Sequence, residues 1–307
     1  MEVYPSLSAA SGGPLVGSAI CLGNFDGAHL GHQALFAEAK GQGRAAALTF
    51  EPHPGKVLQP NLAPRLLTSL DRKLELLEAA GLAAVIVQPF TAEFARTAPA
   101  AFEAALFVEV GAARAVVGAD YSYGARRAGT VVSLAAAAAR HQAAVTVVPP
   151  VSLEGAVVSS SRVREYLLEG RVEAAARMLG RPFDLDGTVV RGDGRGRGIG
   201  FPTANVASGN EVQPAAGVYA VRTRVGTAGP WRGGVANLGI RPTFGGSEPS
   251  LEVHLFDFEG DLYGQPARVQ FLTRLRPERR FASVEELVAQ IGRDAQAARE
   301  ALASNLL

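Results

Sequence analysis

The chain has 307 residues, 48% hydrophobic and 19% charged, which excludes a disordered chain and, at about 150 residues per domain, predicts two domains. Thirty basic against twenty-nine acidic residues leave a formal charge of +1, without the basic excess of a nucleic-acid backbone binder. The single cysteine, Cys21, cannot close an intramolecular disulfide and fits a reducing compartment.

Glu2 and the Gly12-Gly13-Pro14 break argue against a signal peptide, and no run approaches the roughly 20 apolar residues of a membrane span, so a cytoplasmic protein is expected. From residue 18 to 148, short apolar runs alternate with helical segments, the pattern of βαβ units in a parallel sheet. Strands are predicted at 19–22, 45–50, 84–87, 115–117 and 145–148, and helices near 29–40, 70–80, 99–110 and 131–141. Only three of the thirty basic residues are lysines (Lys40, Lys56, Lys73), and none completes a P-loop, because Phe50 stands where the first glycine before Gly55-Lys56 should be.

The run Gly23-Asn24-Phe25-Asp26-Gly27-Ala28-His29-Leu30-Gly31-His32 follows the first strand and opens the first helix, where a doubly wound sheet binds ligands and a helix N-terminus favours anions. Gly23, Gly27 and Gly31 lack the Cβ atoms that would keep a nucleotide from the backbone. Three readings stand: a phosphate site built on His29 and His32, a metal pair with Asp26 as a third ligand, and two surface histidines in a turn.

Further on, Ser159-Ser160-Ser161 offers N-cap oxygens to a helix carrying Val163, Tyr166 and Leu167, which Gly170 ends before a second helix to Leu179. At Gly180-Arg181-Pro182 the texture changes to glycine-punctuated short strands, as in a small antiparallel barrel, and the domain boundary is placed there, giving 1–182 and 183–307. Barrel strands are predicted at 186–191, 218–225, 233–238, 251–256 and 267–275. A last helix opens with Ser283 as N-cap and Glu286 at N3, and is expected to lay Val284, Leu287, Val288 and Ile291 on the barrel.

The segment 187–205 is rich in glycine (Gly187, Gly192, Gly194, Gly196, Gly198, Gly200) and ends Phe201-Pro202-Thr203-Ala204-Asn205. Such a loop can turn backbone N–H groups to phosphates, and Thr203 and Asn205 carry neutral oxygens suited to Mg²⁺. Alone, the segment reads better as an ordinary barrel loop. Alternation in 251–255 sets Leu251, Val253 and Leu255 on one face and Glu252 with His254 on the other. His254 reads as a half-buried strand histidine, Cys21 as a small core residue and Trp231 as barrel core.

Both halves resemble prokaryotic bifunctional riboflavin kinase/FAD synthetases. The first run is similar to the signature of their adenylyltransferase half, in the HIGH-motif nucleotidyltransferases, as are Leu48-Thr49-Phe50-Glu51-Pro52-His53-Pro54, Arg65-Leu66-Leu67-Thr68-Ser69 with Lys73, and Val158-Ser159-Ser160-Ser161-Arg162-Val163-Arg164. Val117-Gly118-Ala119-Asp120-Tyr121-Ser122-Tyr123-Gly124 matches the flavin-side block with tyrosine in place of two phenylalanines. The glycine-rich segment, Ala236-Asn237-Leu238-Gly239-Ile240-Arg241-Pro242-Thr243-Phe244 and the stretch 251–264 resemble the kinase half, with Arg241 where many relatives carry Asn.

The resemblance implies an α/β chain: an N-terminal doubly wound, Rossmann-like domain and a C-terminal antiparallel β-barrel with a terminal helix. It implies riboflavin and ATP giving FMN, then FMN and ATP giving FAD and pyrophosphate, both with Mg²⁺. His29, His32, Arg164 and Glu252 are the implied catalytic residues, Glu252 as general base. ATP would meet Gly23, Phe25, Gly27, Ser159, Ser160, Arg162, Gly192, Arg197, Thr203 and Asn205, with Thr203 and Asn205 also holding the metal. Pro54 and Asp120 would face the flavin. A flavin sensor without catalysis, or an adenylyltransferase for another acceptor, are the alternatives, and homo-oligomer formation is left open.

Overall fold

The computed structural model describes residues 1–192, 200–243 and 246–304, with backbone alone for 240–243 and 246–249. Two compact units divide between Ser160 and Ser161.

In the first unit the strands are β1 (Glu2–Tyr4), β2 (Ala19–Leu22), β3 (Ala45–Glu51), β4 (Ala84–Pro89), β5 (Arg114–Gly118) and β8 (Ala144–Val148), with the two-residue hairpins β6 (Ser122–Tyr123) to β7 (Gly129–Thr130) and β9 (Ser152–Leu153) to β10 (Ala156–Val157). Between them lie α1 (Leu30–Gly41), α2 (Pro54–Leu58), α3 (Leu70–Ala79), α4 (Pro99–Ala104), which continues as a π-helical turn, and α5 (Val131–Arg140). All pairs of the main sheet are parallel, in the order β1-β4-β3-β2-β5-β8.

The inner strands are apolar on both faces, as a sheet covered twice requires. Ile20, Leu22, Leu48, Ile86 and Val117 pack with Phe102, Leu106 and Leu134, while Cys21, Ala47, Val85 and Val116 pack with Phe36 and Leu77 on the other side. The five expected strands are present. β1 escaped prediction because three residues carry no periodicity; it joins the edge by pairing Glu2 to Ala84 and Tyr4 to Ile86. The chain runs outward from β2 to β3 and β4, then returns to place β5 on the other side of β2. This reversal opens a crevice at the carboxyl ends of β2 and β5, where the loops 23–29 and 119–121 begin.

The second unit opens with α6 (Ser160–Leu168), which straddles the division, and α7 (Val172–Leu179). Strands β11 (Phe183–Val190), β12 (Ala204–Ser208), β13 (Gly217–Val225), β14 (Trp231–Thr243), β15 (Gly246–Leu255) and β16 (Pro266–Arg276) close an antiparallel barrel in the order β11-β12-β15-β14-β13-β16. The sixth strand, β12, was unforeseen: Ala204-Asn205 begin a strand where a loop was expected to end. The terminal helix α8 (Val284–Ser304) is capped by the Ser283 hydroxyl, which accepts from the Glu286 N–H at 3.3 Å. Glu286 reaches back to the N–H of Ala282 rather than of Ser283. The helix seats Ala295, Ala298, Ala301 and Leu302 against Ala220, Val235, Phe256 and Leu275. These residues continue the expected stripe, of which Leu287, Val288 and Ile291 are partly buried while Val284 is 57% exposed.

The texture break at 180–182 is not where the compact units part. Val163, Leu167, Val172, Ala175, Met178 and Leu179 are buried, and α7 packs on β11 and β16. Arg274 fastens this corner, donating to the carbonyls of Glu169 (3.3 Å) and Ala216 (2.7 Å). Gly170 (φ 76°) lies so close that a Cβ would stand 2.6 Å from the Arg274 guanidinium. At about 1.5–3 kcal/mol per large buried side chain, losing these helices removes roughly as much as a whole domain's stability. A fragment starting at Ser161 should therefore unfold cooperatively in urea, whereas one starting at Phe183 should lose at least about 5 kcal/mol or show no transition by circular dichroism.

Candidate active sites

The turn after β2 is built from backbone that most residues avoid. Phe25 (φ 52°), Gly27 (φ 81°) and Ala28 (φ 43°) all have positive φ, strain that persists only where surroundings impose it. Phe25 is fully buried and meets His32 (ring centroids 5.3 Å apart) and Phe36 (5.1 Å) edge-on. Its side chain thus faces the core, and only its backbone is left for a nucleotide. Gly23 and Gly31 make room for the protein's own rings. A Cβ on Gly23 would stand 2.9 Å from the Phe25 ring, and one on Gly31 3.1 Å from the His29 imidazole.

His29 is the N-cap of α1, its Nδ1 accepting the His32 backbone N–H at 3.3 Å. With Nδ1 accepting, a neutral ring carries its proton on Nε2. The His32 ring stacks on it, centroids 3.6 Å apart and planes 15° from parallel. Burial, then His29, then the Lys73 ammonium push the proton affinity of His32 well below the ordinary histidine range. Among the described residues its buried Nδ1 has no hydrogen-bond partner, an orphan that a ligand can satisfy. The two stacked imidazoles stand at a helix N-terminus, where anions are favoured.

Asp26 turns one carboxylate oxygen to the backbone of the loop before α3. Its Oδ1 accepts the backbone N–H of Leu67 (2.9 Å) and Thr68 (3.2 Å) and the Thr68 hydroxyl, and among the described residues no group of three or more His, Cys, Asp and Glu is placed to hold a metal ion. Ser160 Oγ donates to the Asp26 carbonyl at 2.9 Å, bringing the serine run to the same turn. Arg162 pairs with Glu165 at 2.7 Å, and Arg164 is half-buried one turn into α6.

Pro54 is the first residue of α2, whose N-cap His53 accepts from the Gly55 N–H (3.0 Å) and meets Asn24 Nδ2 (3.1 Å). Asp120 is exposed after β5. Tyr123, where the resembling family has phenylalanine, donates to Glu103 Oε1 at 2.6 Å, and burial, then this bond, raise it to about 12.

On the barrel, register decides the site. Asn205 lies opposite Glu252, and Glu252 opposite Asn237, so these three share one face across β12, β15 and β14. Leu251, Val253 and Leu255 are buried while Glu252 and His254 are only partly covered, as the alternation predicted. Asn205 is itself buried, and its amide occupies the space a Cβ on Gly192 would need. His254 is a half-buried strand histidine: its Nδ1 lies 2.9 Å from the Pro202 carbonyl and its ring meets Phe201 edge-on, holding the start of Phe201–Asn205. Trp231 is 37% exposed beneath the Arg224 guanidinium, which corrects its expected place in the core. Arg197, Gly194, Gly196 and Gly198 lie outside the described residues.

Two family models divide the chain, one for FAD synthetase over residues 14–162 and one for riboflavin kinase over residues 179–302. A bifunctional riboflavin kinase/FMN adenylyltransferase of Escherichia coli (strain K12) is 38% identical over 306 residues, 98% of this chain and 97% of that protein. The chain belongs to the bifunctional riboflavin kinase/FMN adenylyltransferase family. A relative of that name in Bacillus subtilis (strain 168) is 38% identical over 292 residues, 92% of this chain and 91% of its own. A solved structure described as a macrolide-efflux protein from Streptococcus pneumoniae matches with a TM-score of 0.88 at 32% identity, covering 97% of this chain and 99% of that one. Efflux is the description of that protein; here no described helix is long and apolar enough to cross a membrane.

For this family member, the barrel partners of Glu252 were only half visible in sequence. Asn205 stood in a quoted motif, but its adjacency to Glu252 rests on β12. Lys73 belonged to a quoted block without a role, and the structure buries it beside the His29 turn.

The shift of His32 makes the first unit acid-sensitive. A base whose folded proton affinity is depressed leaves the unfolded chain binding more protons below its ordinary value of 6.5, so stability is full above that pH and falls as pH drops toward the folded value. Thermal melts of wild type and H32Q at pH 7.5 and pH 5 should show a larger acid loss in wild type.

Proposed function

We propose that Glu252 on the barrel and the stacked His29–His32 pair at the start of α1 carry the two activities of this enzyme, phosphorylation of riboflavin and adenylylation of FMN. The observation that carries this reading is the Asn205–Glu252–Asn237 row, a carboxylate in cross-strand register with two amides on the face that Leu251, Val253 and Leu255 do not occupy. Glu252 takes the proton of the riboflavin 5′-hydroxyl as that oxygen bonds to the γ-phosphorus of ATP, and ADP leaves with the electrons of the broken P–O bond. Thr203 and Asn205 offer the neutral oxygens that suit Mg²⁺ held mainly by nucleotide phosphates. Bound there, Mg²⁺ would neutralise phosphate charge. Gly192 and Arg197 are proposed to meet the same nucleotide.

In the first unit an FMN phosphate oxygen attacks the α-phosphorus of a second ATP, and pyrophosphate departs. The His29 and His32 rings at the N-terminus of α1 are proposed to face the developing charge. Ser159, Arg162 and Arg164 are proposed for the pyrophosphate, and Ser160 for holding the turn through Asp26. Pro54 and Asp120, on loops leaving the carboxyl ends of β3 and β5, are proposed for the flavin. ATP use and the one buried cysteine support a place in the cytoplasm.

Chromatographic resolution of FMN and FAD after incubation with riboflavin, ATP and Mg²⁺ tests the whole reading, and the absence of both products would refute it. With H29A, H32A or the pair, FAD formation should fall mostly in kcat while FMN formation stays near wild type.

Separately, E252Q supplied with riboflavin should make FMN about 10²-fold more slowly, the low end expected for a lost general base when the transition state is loose. Supplied with FMN, the same variant should make FAD normally. Wild-type FMN production would remove Glu252 from the mechanism.

A further inference from the structure

Lys73 is 3% exposed, and burying an ammonium costs several kcal/mol unless its surroundings compensate. It also stands in the first turn of α3, where the helix dipole disfavours a cation. Burial lowers its proton affinity, and the Asp26 and Glu51 carboxylates pull it back up. An apolar side chain would fill this place at lower cost, so the charge itself has a use.

Its contact with Thr49 shows what that use is. Nζ lies 3.5 Å from Thr49 Oγ1, and the Thr49 hydroxyl donates to the Asn24 carbonyl at 3.1 Å. A chain of polar contacts thus runs from the ammonium to the backbone of the strained turn that ends in the His29 cap. The same turn is gripped from the other side by Leu67 and Thr68 through Asp26, just before the helix that carries Lys73. The titratable groups facing His32 are His29 at its own cap and Lys73 from α3; Asp26 of the turn and Glu51 at the end of β3 face Lys73, and His53 reaches the turn through Asn24.

We propose that Lys73 is a positioning residue for adenylylation: its buried ammonium, set against Thr49 in the field of Asp26 and Glu51, holds the 23–28 turn in the shape that presents His29 and His32 to ATP. The proposal rests on the adenylyltransferase reading of this unit. Lys73 touches neither substrate; it fixes the groups that do, and its charge adds to burial and to His29 in lowering the proton affinity of His32.

The test uses the full chain and assays FAD from FMN, with FMN from riboflavin as the internal control. K73M should lose on the order of 10²-fold in FAD formation, as small misplacements of a reacting group do, mostly in kcat, with kinase activity unchanged. K73R should recover most of the loss. The NMR titration of the His32 ring should move to higher pH in K73M and return in K73R, a shift that mere loosening of the fold would not produce. FAD formation at the wild-type rate in K73M, or its loss with the His32 titration unmoved, would overturn the proposal. If K73M fails to fold in this unit, T49V decides: a drop of about tenfold or more in FAD formation supports the relay, and a wild-type rate overturns it. A wild-type chain that makes FMN and no FAD would instead remove the adenylyltransferase reading, and the proposal with it.

Discussion

The first unit depends on one buried carboxylate. Asp26 is 3% exposed, and a carboxylate that far from water is tolerable only when donors surround it. Leu67, Thr68 and the Thr68 hydroxyl supply them, which ties the loop after β2 to the loop before α3. Once that tie is made, positive φ at Phe25 and Ala28 follows, the Phe25 ring turns inward, and His29 arrives where its Nδ1 can cap α1. The imidazole stack is the end of this sequence of constraints.

Much of this was legible in advance because it is local. Apolar runs with helical spacing between them announce a parallel sheet, and a glycine-punctuated run after the first strand announces a ligand turn. What stayed hidden is set by pairing across distance. The edge strand β1 forms because Ala84–Pro89 offers it a partner, and three residues cannot show that alone. The burial of Lys73 against Thr49 and the grip of Asp26 on Leu67 and Thr68 likewise arise from contacts 24 and about forty positions away in sequence.

In the second unit, alternation located Glu252 but not its neighbours. Glycine and proline between 192 and 202 read as loop, so Asn205 was placed at a loop's end. It is a strand residue, fixed by hydrogen-bonded partners on both sides. The compact units part about twenty residues before the change in composition. Composition changes where the barrel strands begin, yet packing does not, since α7 packs on β11 and β16. Trp231 shows the limit of size as a guide, for its indole lies on the surface under Arg224.

The closed barrel has a consequence for how this chain can change. Side chains along a strand alternate with a period of two, so adding or removing one residue inside β15 would turn Glu252 inward and a valine or leucine outward. In an open sheet an edge strand can slide to absorb such an event. Here both neighbours of β15 are themselves paired onward around the ring, and a slip would have to pass through every strand. Length variation is therefore confined to the hairpin connections, while the spacing from Asn205 to Glu252 to Asn237 is inherited together with the core.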